Sequence, residues 1–157
     1  MDKGILLREY HSEDCAKIMQ LFYDTIHSVN AADYNENQLD AWAPKEIDMA
    51  CWDSRFLQDH AVVAEKDNII VGIGTLKGSG YFDLLYIHKD YQRIGIATSI
   101  ADEIERHFRY SGIPTVTTDA SITAKRFFEN RGYVVLKEQS VEIRGQFLTN
   151  FKMQKIF

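Results

Sequence analysis

The chain has 157 residues, 45% of them hydrophobic, and a net charge of −5 at pH 7. This much apolar sequence is enough for one sizeable core, so we expect a single domain over residues 1–157. The negative charge argues against a nucleic-acid partner, because such binding rests largely on clustered Lys and Arg. No apolar run approaches the roughly 20 residues that span a bilayer, and no signal peptide is recognisable. We therefore expect a cytoplasmic protein with no membrane partner.

Hydrophobic periodicity predicts a chain that mixes strands with helices. The predicted strands are 5–8, 61–65, 69–76, 81–88 and 116–118, followed by a final hairpin. The predicted helices begin at Ser12, on either side of Pro44, at Ile96 and at Ser121. Ser12 and Ser121 are placed as helix caps because a serine hydroxyl can accept from a first-turn backbone N–H.

The cysteines and histidines show no spacing typical of a metal site. Cys15 and Cys51 lie far apart and outside any CxxC pattern. The five histidines show no paired metal-ligand spacing. We therefore expect reduced thiols, no disulfide and no bound metal.

The most informative segment is 84–98, in which a strand passes through a short loop into a long helix. Gly95 and Ala97 remove side-chain bulk where a ligand must approach the backbone closely. Unpaired N–H groups in the first helical turn, together with the helix dipole, favour an anion, and Arg93 adds a positive charge. Taken alone, the segment is compatible with a phosphate site or with a simple turn.

Two further stretches accompany this loop, and together they resemble one family. Gln92 to Ala97 resembles the Q/R-x-x-G-x-G/A pyrophosphate loop of the GCN5-related N-acetyltransferases (GNAT). Leu85 to Ile87 resembles the strand that pairs with the pantetheine arm, and Ala124 to Tyr133 is similar to the A-x-x-x-Y-x-x-x-G-F helix end. Through Phe127 to Tyr133 and Ile143 to Gly145, the chain looks closest to the YafP-like subgroup of small bacterial acetyltransferases.

The resemblance implies an α/β fold of the α+β type, the GNAT fold. It has a mixed, mostly antiparallel sheet of six to seven strands with a central parallel pair, flanked by about four helices. The implied reaction moves an acetyl group from acetyl-CoA to a primary amine by direct attack, without a covalent acyl-enzyme. The acceptor is then a small-molecule amine or a peptide amine, and the protein is a monomer or homodimer.

The resemblance also implies which residues contact acetyl-CoA. The motif strand, the loop and the first helical turn supply most of them, and two aromatic residues pack against the pantetheine arm. These residues are Leu85, Tyr86, Ile87, Gln92, Arg93, Ile94, Gly95, Ile96, Ala97 and Thr98, with Phe127 and Phe128.

Phe128 departs from the family pattern, because relatives commonly use a tyrosine there to protonate the departing CoA thiolate. Phenylalanine cannot donate a proton. Solvent can serve, since a free thiol has a pKa of about 8.5 and leaves easily as thiolate. Another tyrosine reaching the sulfur stays an alternative, although we expect Tyr133 to pack in the core.

Asp83 is our candidate for the general base that takes the proton of the acceptor amine. The even spacing predicts that Asp83, Leu85 and Ile87 share one face of their strand. Backbone N–H groups near Ile87 are the expected donors to the thioester carbonyl. The alternative is a hydrogen-bonded carboxylate at the end of a strand.

The resemblance also implies that the acceptor site lies across the sheet from CoA, between the segment after the first helix and the final hairpin. His27 is a candidate proton relay, or a polar-face histidine. The aromatic candidates can stack on an acceptor or belong to the core. The candidates are Tyr23, His27, Tyr34, Trp42, Trp52 and Asn150.

Two functions other than acetyl transfer are also compatible with parts of the sequence. A non-catalytic sensor of acetyl-CoA or CoA is the main alternative, and Phe128 is the residue that favours it. A dinucleotide-dependent enzyme is disfavoured, because G-x-G-x-x-G should open an early βαβ unit and the loop here follows several strands of antiparallel type.

Overall fold

The computed structural model describes residues 4–157, which form seven strands and five α-helices. The strands are β1 (Leu6–Glu9), β2 (His60–Lys66), β3 (Ile69–Leu76), β4 (Phe82–Ile87), β5 (Thr115–Ser121), β6 (Val134–Ile143) and β7 (Gln146–Ile156). The helices are α1 (Cys15–Ser28), α2 (Glu36–Trp42), α3 (Met49–Gln58), α4 (Ile96–Arg109) and α5 (Lys125–Asn130). Short 3-10 turns, Ser12–Asp14 and Asn30–Ala32, flank α1. This mixed, mostly antiparallel architecture confirms the predicted fold class.

The strands form two antiparallel sheets that meet at β4 and β5. One sheet has the order β1-β2-β3-β4 and the other β5-β7-β6. Within residues 4–157, one parallel bridge joins them, between Tyr81 and Thr117, where the Thr117 N–H donates to the Gly80 carbonyl at 3.0 Å. The Thr118 hydroxyl adds a 2.8 Å bond to the Phe82 carbonyl. The expected central parallel pair is therefore a single bridge, and no continuous ladder joins the two strands.

The helices cover the two faces of the first sheet with separate hydrophobic clusters. α1, α2 and α3 pack on one face, and α4 packs on the other with α5 beside it. α4 presents Ile100 and Ile104 at helical spacing to Gly74 of β3. A Cβ on Gly74 would lie 2.3 Å from the Ile100 side chain, so glycine is what permits this close approach.

Two predicted helix starts are wrong by three or four residues. Ser12 lies in the 3-10 turn, where its hydroxyl donates to Asp53, and α1 begins at Cys15. Ser121 is the last residue of β5, paired with Asn150, and α5 begins at Lys125, but the Ser121 hydroxyl accepts from the Ala124 N–H at 3.0 Å, as the predicted cap should. The ladder with β7 extends β5 further than the short apolar run in the sequence indicated.

A buried ion network fixes the end of α5 against α4. Glu105 of α4 is 4% exposed and accepts two bonds from Arg131, at 2.9 and 3.0 Å. The Tyr133 hydroxyl donates to the same carboxylate at 2.9 Å, and Lys155 of β7 lies at 3.2 Å. Burial alone would raise the pKa of Glu105, but the bonds from Arg131 outweigh it and hold this pKa below its usual value. Tyr133 thus lies in the core as expected.

We expect Glu105→Gln to lower the free energy of unfolding by roughly 3–5 kcal/mol at pH 7, because Arg131 and Lys155 lose a buried counter-charge. Urea unfolding measures the loss. Since the pKa of Glu105 is lowered by folding, its stabilisation is present above the usual carboxyl pKa and disappears as the pH falls below it. The difference between variant and parent should therefore shrink on acidification below about pH 4.

Asp102→Asn is the matched control, because Asp102 pairs with the same Arg131 at 2.9 Å but is 66% exposed. Asp102→Asn should lower the free energy of unfolding by no more than about 1 kcal/mol. Equal losses for the two variants, or a Glu105→Gln loss that does not change with pH, would contradict this account of the network.

Candidate functional site

A cavity of about 470 Å³ lies where β4 and β5 part. Its walls come from β4, the loop 88–95, the first turn of α4, the end of β5 and the start of α5. The end of α1 and Trp42 of α2 close it on the opposite side of the sheet. The cavity therefore connects the α4 face of the sheet with the α1 face.

The loop before α4 gives the cavity one end suited to an anion. Gly95 caps the helix with φ of +95°, and no heavy atom lies within 4 Å of the position its Cβ would take. Arg93 adopts φ of +62° and lines the cavity. Gln92 Nε2 donates to the Ile87 carbonyl at 2.7 Å, which ties the loop to the end of β4. The N–H groups in the first turn of this 14-residue helix have no carbonyl partner within the helix. They lie at the positive end of the helix dipole, so this end favours an anion.

Most of the predicted cofactor residues surround this cavity. Every one of them lines it except Ile94, which lies outside the lining and is exposed. Phe128 contributes a buried wall, with its ring edge-on to Phe82 at 5.4 Å between centroids. Phe127 packs beside it at 5.4 Å.

The backbone of β4 offers free donors to the cavity. The N–H groups of Leu84 and His88 point to β3, where they donate to Thr75 Oγ1 at 3.1 Å and to the Val71 carbonyl at 2.8 Å. Backbone groups alternate in direction along a strand, so the N–H groups of Leu85 and Ile87 face the opposite edge. That edge is where β5 has diverged. These two donors lie about 6.6 Å apart along the strand, so each is available to a separate carbonyl oxygen in the cavity.

Asp83 lies at a β-bulge, which makes the predicted shared face wrong. Phe82 pairs with Leu76 and Leu84 pairs with Thr75, so Asp83 has no residue opposite it on β3. The extra residue shifts the alternation of side chains. Leu85 and Ile87 pack on the α4 side, whereas the Asp83 carboxylate reaches Arg55 of α3 on the other side.

Two cations flank the Asp83 carboxylate, and sequence reasoning missed both. Arg55 Nη2 donates to Asp83 Oδ2 at 2.9 Å, and Lys77 Nζ lies 3.8 Å from the same oxygen. The side chain is 14% exposed and lines the cavity. Arg55 lies on α3, 28 positions away in the sequence, and no local pattern links it to Asp83. The ion pairs hold the carboxylate at the cavity wall.

Trp42 is the predicted acceptor residue that the structure brings into the cavity lining. Tyr34 instead joins the end of β5 to β7, because its hydroxyl donates to the Thr149 carbonyl at 2.5 Å and accepts from the Ile122 N–H at 2.9 Å. The remaining candidates make contacts outside the lining. His27 Nε2 donates to the Ala43 carbonyl, Tyr23 packs on His27, Trp52 packs on Phe22, and Asn150 accepts from Gln139.

Several further polar residues line the cavity without having been predicted, among them Thr25, Asp119 and Asn30. Thr25 donates through its hydroxyl to the Ile87 carbonyl at 2.9 Å. Asp119 of β5 accepts from the Tyr81 hydroxyl at 2.7 Å. Asn30 follows α1 and is buried. They come together only through tertiary packing, so no spacing in the sequence could have identified them.

Residues 4–157 contain no cluster of three or more His, Cys, Asp or Glu side chains that could hold a metal ion. In the same part of the chain, no helix is long and apolar enough to cross a membrane.

Comparison with known proteins gives one consistent result. The model of the acetyltransferase (GNAT) domain matches residues 30–156. The uncharacterized N-acetyltransferase YafP of Escherichia coli K12 is 31% identical over 151 residues, which cover 96% of this chain and 95% of YafP. This similarity confirms the resemblance to the YafP-like subgroup.

Solved structures agree with the fold. A GCN5-related N-acetyltransferase from Rhodopseudomonas palustris superposes with a TM-score of 0.95 at 34% identity, covering 100% of this chain and 98% of that one. The PaiA N-acetyltransferase of Thermoplasma acidophilum, solved with coenzyme A, has a TM-score of 0.81 at 17% identity, with coverage of 98% and 99%. The second match concerns the fold alone.

A side chain at Gly95 should block the anion end of the cavity. Because φ there is positive, a β-branched residue would strain the backbone, whereas asparagine tolerates this conformation better. We expect Gly95→Asn to weaken CoA binding about tenfold to a hundredfold, the loss of one or two bonds to a charged group. Isothermal titration calorimetry with CoA measures it.

Gly112→Asn is the control, since Gly112 also has positive φ and open space around its Cβ position but lies beyond the other end of α4. Both variants should lose similar stability, and only Gly95→Asn should lose affinity. Unchanged affinity in a folded Gly95→Asn protein would show that the loop is only a turn.

Proposed function

As a member of the GCN5-related N-acetyltransferase family the chain is an acetyltransferase, and we propose that it moves the acetyl group of acetyl-CoA to a primary amine by direct attack. One observation carries the proposal. The cavity connects the anion-binding end of α4 with the Asp83 carboxylate through the gap between β4 and β5. A ligand held at the α4 end can therefore present a reactive group to an acceptor that arrives on the α1 face.

Acetyl-CoA fits the α4 side of this cavity. Its pyrophosphate would bind the first-turn N–H groups of α4 and Arg93. Its pantetheine arm would follow the free edge of β4, with Phe127 and Phe128 against it. The complex of Thermoplasma acidophilum PaiA with coenzyme A supports the same ligand here.

The chemical step requires a polarised carbonyl and a neutral amine. One of the N–H groups of Leu85 and Ile87 would donate to the thioester oxygen as negative charge develops on it, and the other, about 6.6 Å away along the strand, would donate to the pantetheine arm. The amine nitrogen attacks the carbonyl carbon and forms the C–N bond, and the C–S bond then breaks. Asp83 accepts the proton that the amine loses, and Arg55 keeps the carboxylate in position.

Solvent is the proposed acid for the CoA thiolate. Phe128 has no proton to donate, and the Tyr133 hydroxyl is engaged by buried Glu105. A thiol has a pKa of about 8.5, so its thiolate is a good leaving group near neutral pH. The location in the cytoplasm and the monomeric or homodimeric state stay predictions.

The sensor alternative is favoured by one observation, the phenylalanine in place of the usual proton donor. Turnover separates the two functions. We expect the protein to release CoA thiol from acetyl-CoA in the presence of a panel of primary amines, faster than the uncatalysed reaction. A thiol-reactive dye follows the release, and mass spectrometry identifies the acetylated amine. Binding of acetyl-CoA without any turnover would support the sensor and overturn the enzyme.

Asp83→Asn should keep CoA binding while lowering kcat by about 10²-fold to 10⁴-fold, the usual contribution of a general base. The loss should shrink as the pH rises, because more acceptor amine, with a pKa near 10.4 for an alkylamine, is then already neutral. Steady-state rates from pH 6 to 10 measure this.

Asp59→Asn serves as the control. Asp59 also pairs with Lys77, at 3.2 Å, but it lies outside the cavity lining. Its kcat should stay within about twofold of the parent, as for a residue away from the reacting atoms. Full activity of Asp83→Asn across the pH range would mean that another group or a water chain is the base.

A further inference from the structure

Asn30 combines deep burial with an unused hydrogen-bonding group. The residue is 4% exposed, lies in the turn after α1 and lines the cavity. Its main-chain carbonyl accepts from the N–H groups of Asp33 and Tyr34, which fixes the backbone. Its side-chain amide has no hydrogen-bond partner among residues 4–157. The amide is therefore available to a molecule in the cavity.

An amide at a cavity wall that has no protein partner can bind solvent or a polar group of a ligand. An amide both donates and accepts, so it is best satisfied by a group that does the same or offers a carbonyl. Hydroxyl and carboxamide groups meet this requirement.

The position of Asn30 points to the acceptor and away from the cofactor. α1 and α2 cover the face of the sheet opposite α4, and the cavity wall on this face includes Trp42 and Tyr86, whose rings are 6.4 Å apart. The anion end of the cavity is built by the loop before α4, on the other face. A ligand group on the α1 face is therefore part of the molecule that attacks the thioester.

The charges around the cavity restrict that molecule further. Of the residues within 4–157 that line it, Arg93 is the only Lys or Arg, and it belongs to the anion end. Two carboxylates line it, Asp83 and Asp119. On β5, Val116 and Ala120 pack on the α4 side, so alternation places Asp119 on the α1 face. Arg55 and Lys77 lie beside Asp83 but outside the lining, and both are paired with carboxylates. An acceptor carboxylate would therefore meet Asp119 with no unpaired cation of the lining on that face.

We propose that the acceptor is a compact primary amine bearing an uncharged hydrogen-bonding group and no carboxylate, and that Asn30 binds this uncharged group. The inference rests on the proposed acetyl transfer. Compactness follows from the cavity, whose volume of about 470 Å³ must also admit the reactive end of acetyl-CoA. The amino group would lie toward Asp83, and the hydroxyl or carboxamide toward Asn30.

The first test compares acceptors with the unaltered protein by CoA thiol release. β-Alaninamide, β-alanine and butylamine are similar in size and differ in carrying an amide, a carboxylate or neither. Each kcat/KM is calculated with the concentration of the neutral form of the amine, because the three amines differ in the fraction that is unprotonated. We expect kcat/KM for β-alaninamide to exceed that for each of the other two by about tenfold or more, the worth of one satisfied hydrogen bond to a buried group.

The second test removes the amide while keeping the branching of the side chain. Asn30→Leu should lower kcat/KM for β-alaninamide about tenfold to a hundredfold and leave butylamine nearly unchanged, because only the former loses a bond. The KM for acetyl-CoA should not change. Asn130→Leu is the matched control, since Asn130 is exposed at the end of α5 and outside the cavity lining.

The outcomes separate this inference from the proposed function. If the protein binds acetyl-CoA but acetylates none of the amines, both the proposed function and this inference are overturned. Turnover with β-alanine or butylamine preferred in the unaltered protein overturns the inference alone, even if Asn30→Leu fails to fold. A raised KM for acetyl-CoA in Asn30→Leu, with acceptor selectivity unchanged, would assign Asn30 to the cofactor and also overturn the inference.

Discussion

The structure of the site depends on how β4 and β5 separate after one point of contact. The bridge between Tyr81 and Thr117, with the Thr118 hydroxyl on the Phe82 carbonyl, joins the two sheets at one end. Beyond this bridge, β5 pairs with β7 and β4 pairs with β3. The backbone groups on the facing edges of β4 and β5 therefore do not hydrogen-bond to each other. The gap leaves backbone donors free and opens a passage between the two faces of the sheet. Without it there would be no shared cavity.

The bulge at Asp83 gives the two faces different chemistry. Leu85 and Ile87 pack toward α4, while the carboxylate is held on the opposite face by Arg55. In the proposed reaction the cofactor and the acceptor therefore approach from opposite sides, and the thioester meets one backbone donor of β4 and the carboxylate base at the bulge. The backbone donor and the Asp83 carboxylate both belong to β4, and the strand fixes the distance between them.

The position of α4 depends on contacts far from its N-terminus. Gly74 lets the helix approach β3 closely, and buried Glu105 ties its second half to Arg131 and Lys155. These contacts explain the Arg131-Gly132-Tyr133 run, whose arginine and tyrosine both bond to Glu105. A helix anchored in this way presents its first turn to the cavity in a fixed direction, which an anion site requires.

The sequence by itself determined the order of elements, the fold class, the glycine loop before α4 and the phenylalanine at position 128. These features rest on local signals, namely periodicity, the glycine before α4 and a contiguous motif. Only the tertiary structure decided that Asp83 lies on a bulge beside Arg55, that Trp42 reaches the cavity while Tyr34 does not, and that Asn30 presents a free amide to it. Register, ion pairing and access to a cavity depend on residues distant in the chain, and a single sequence carries no local signal for which of them meet.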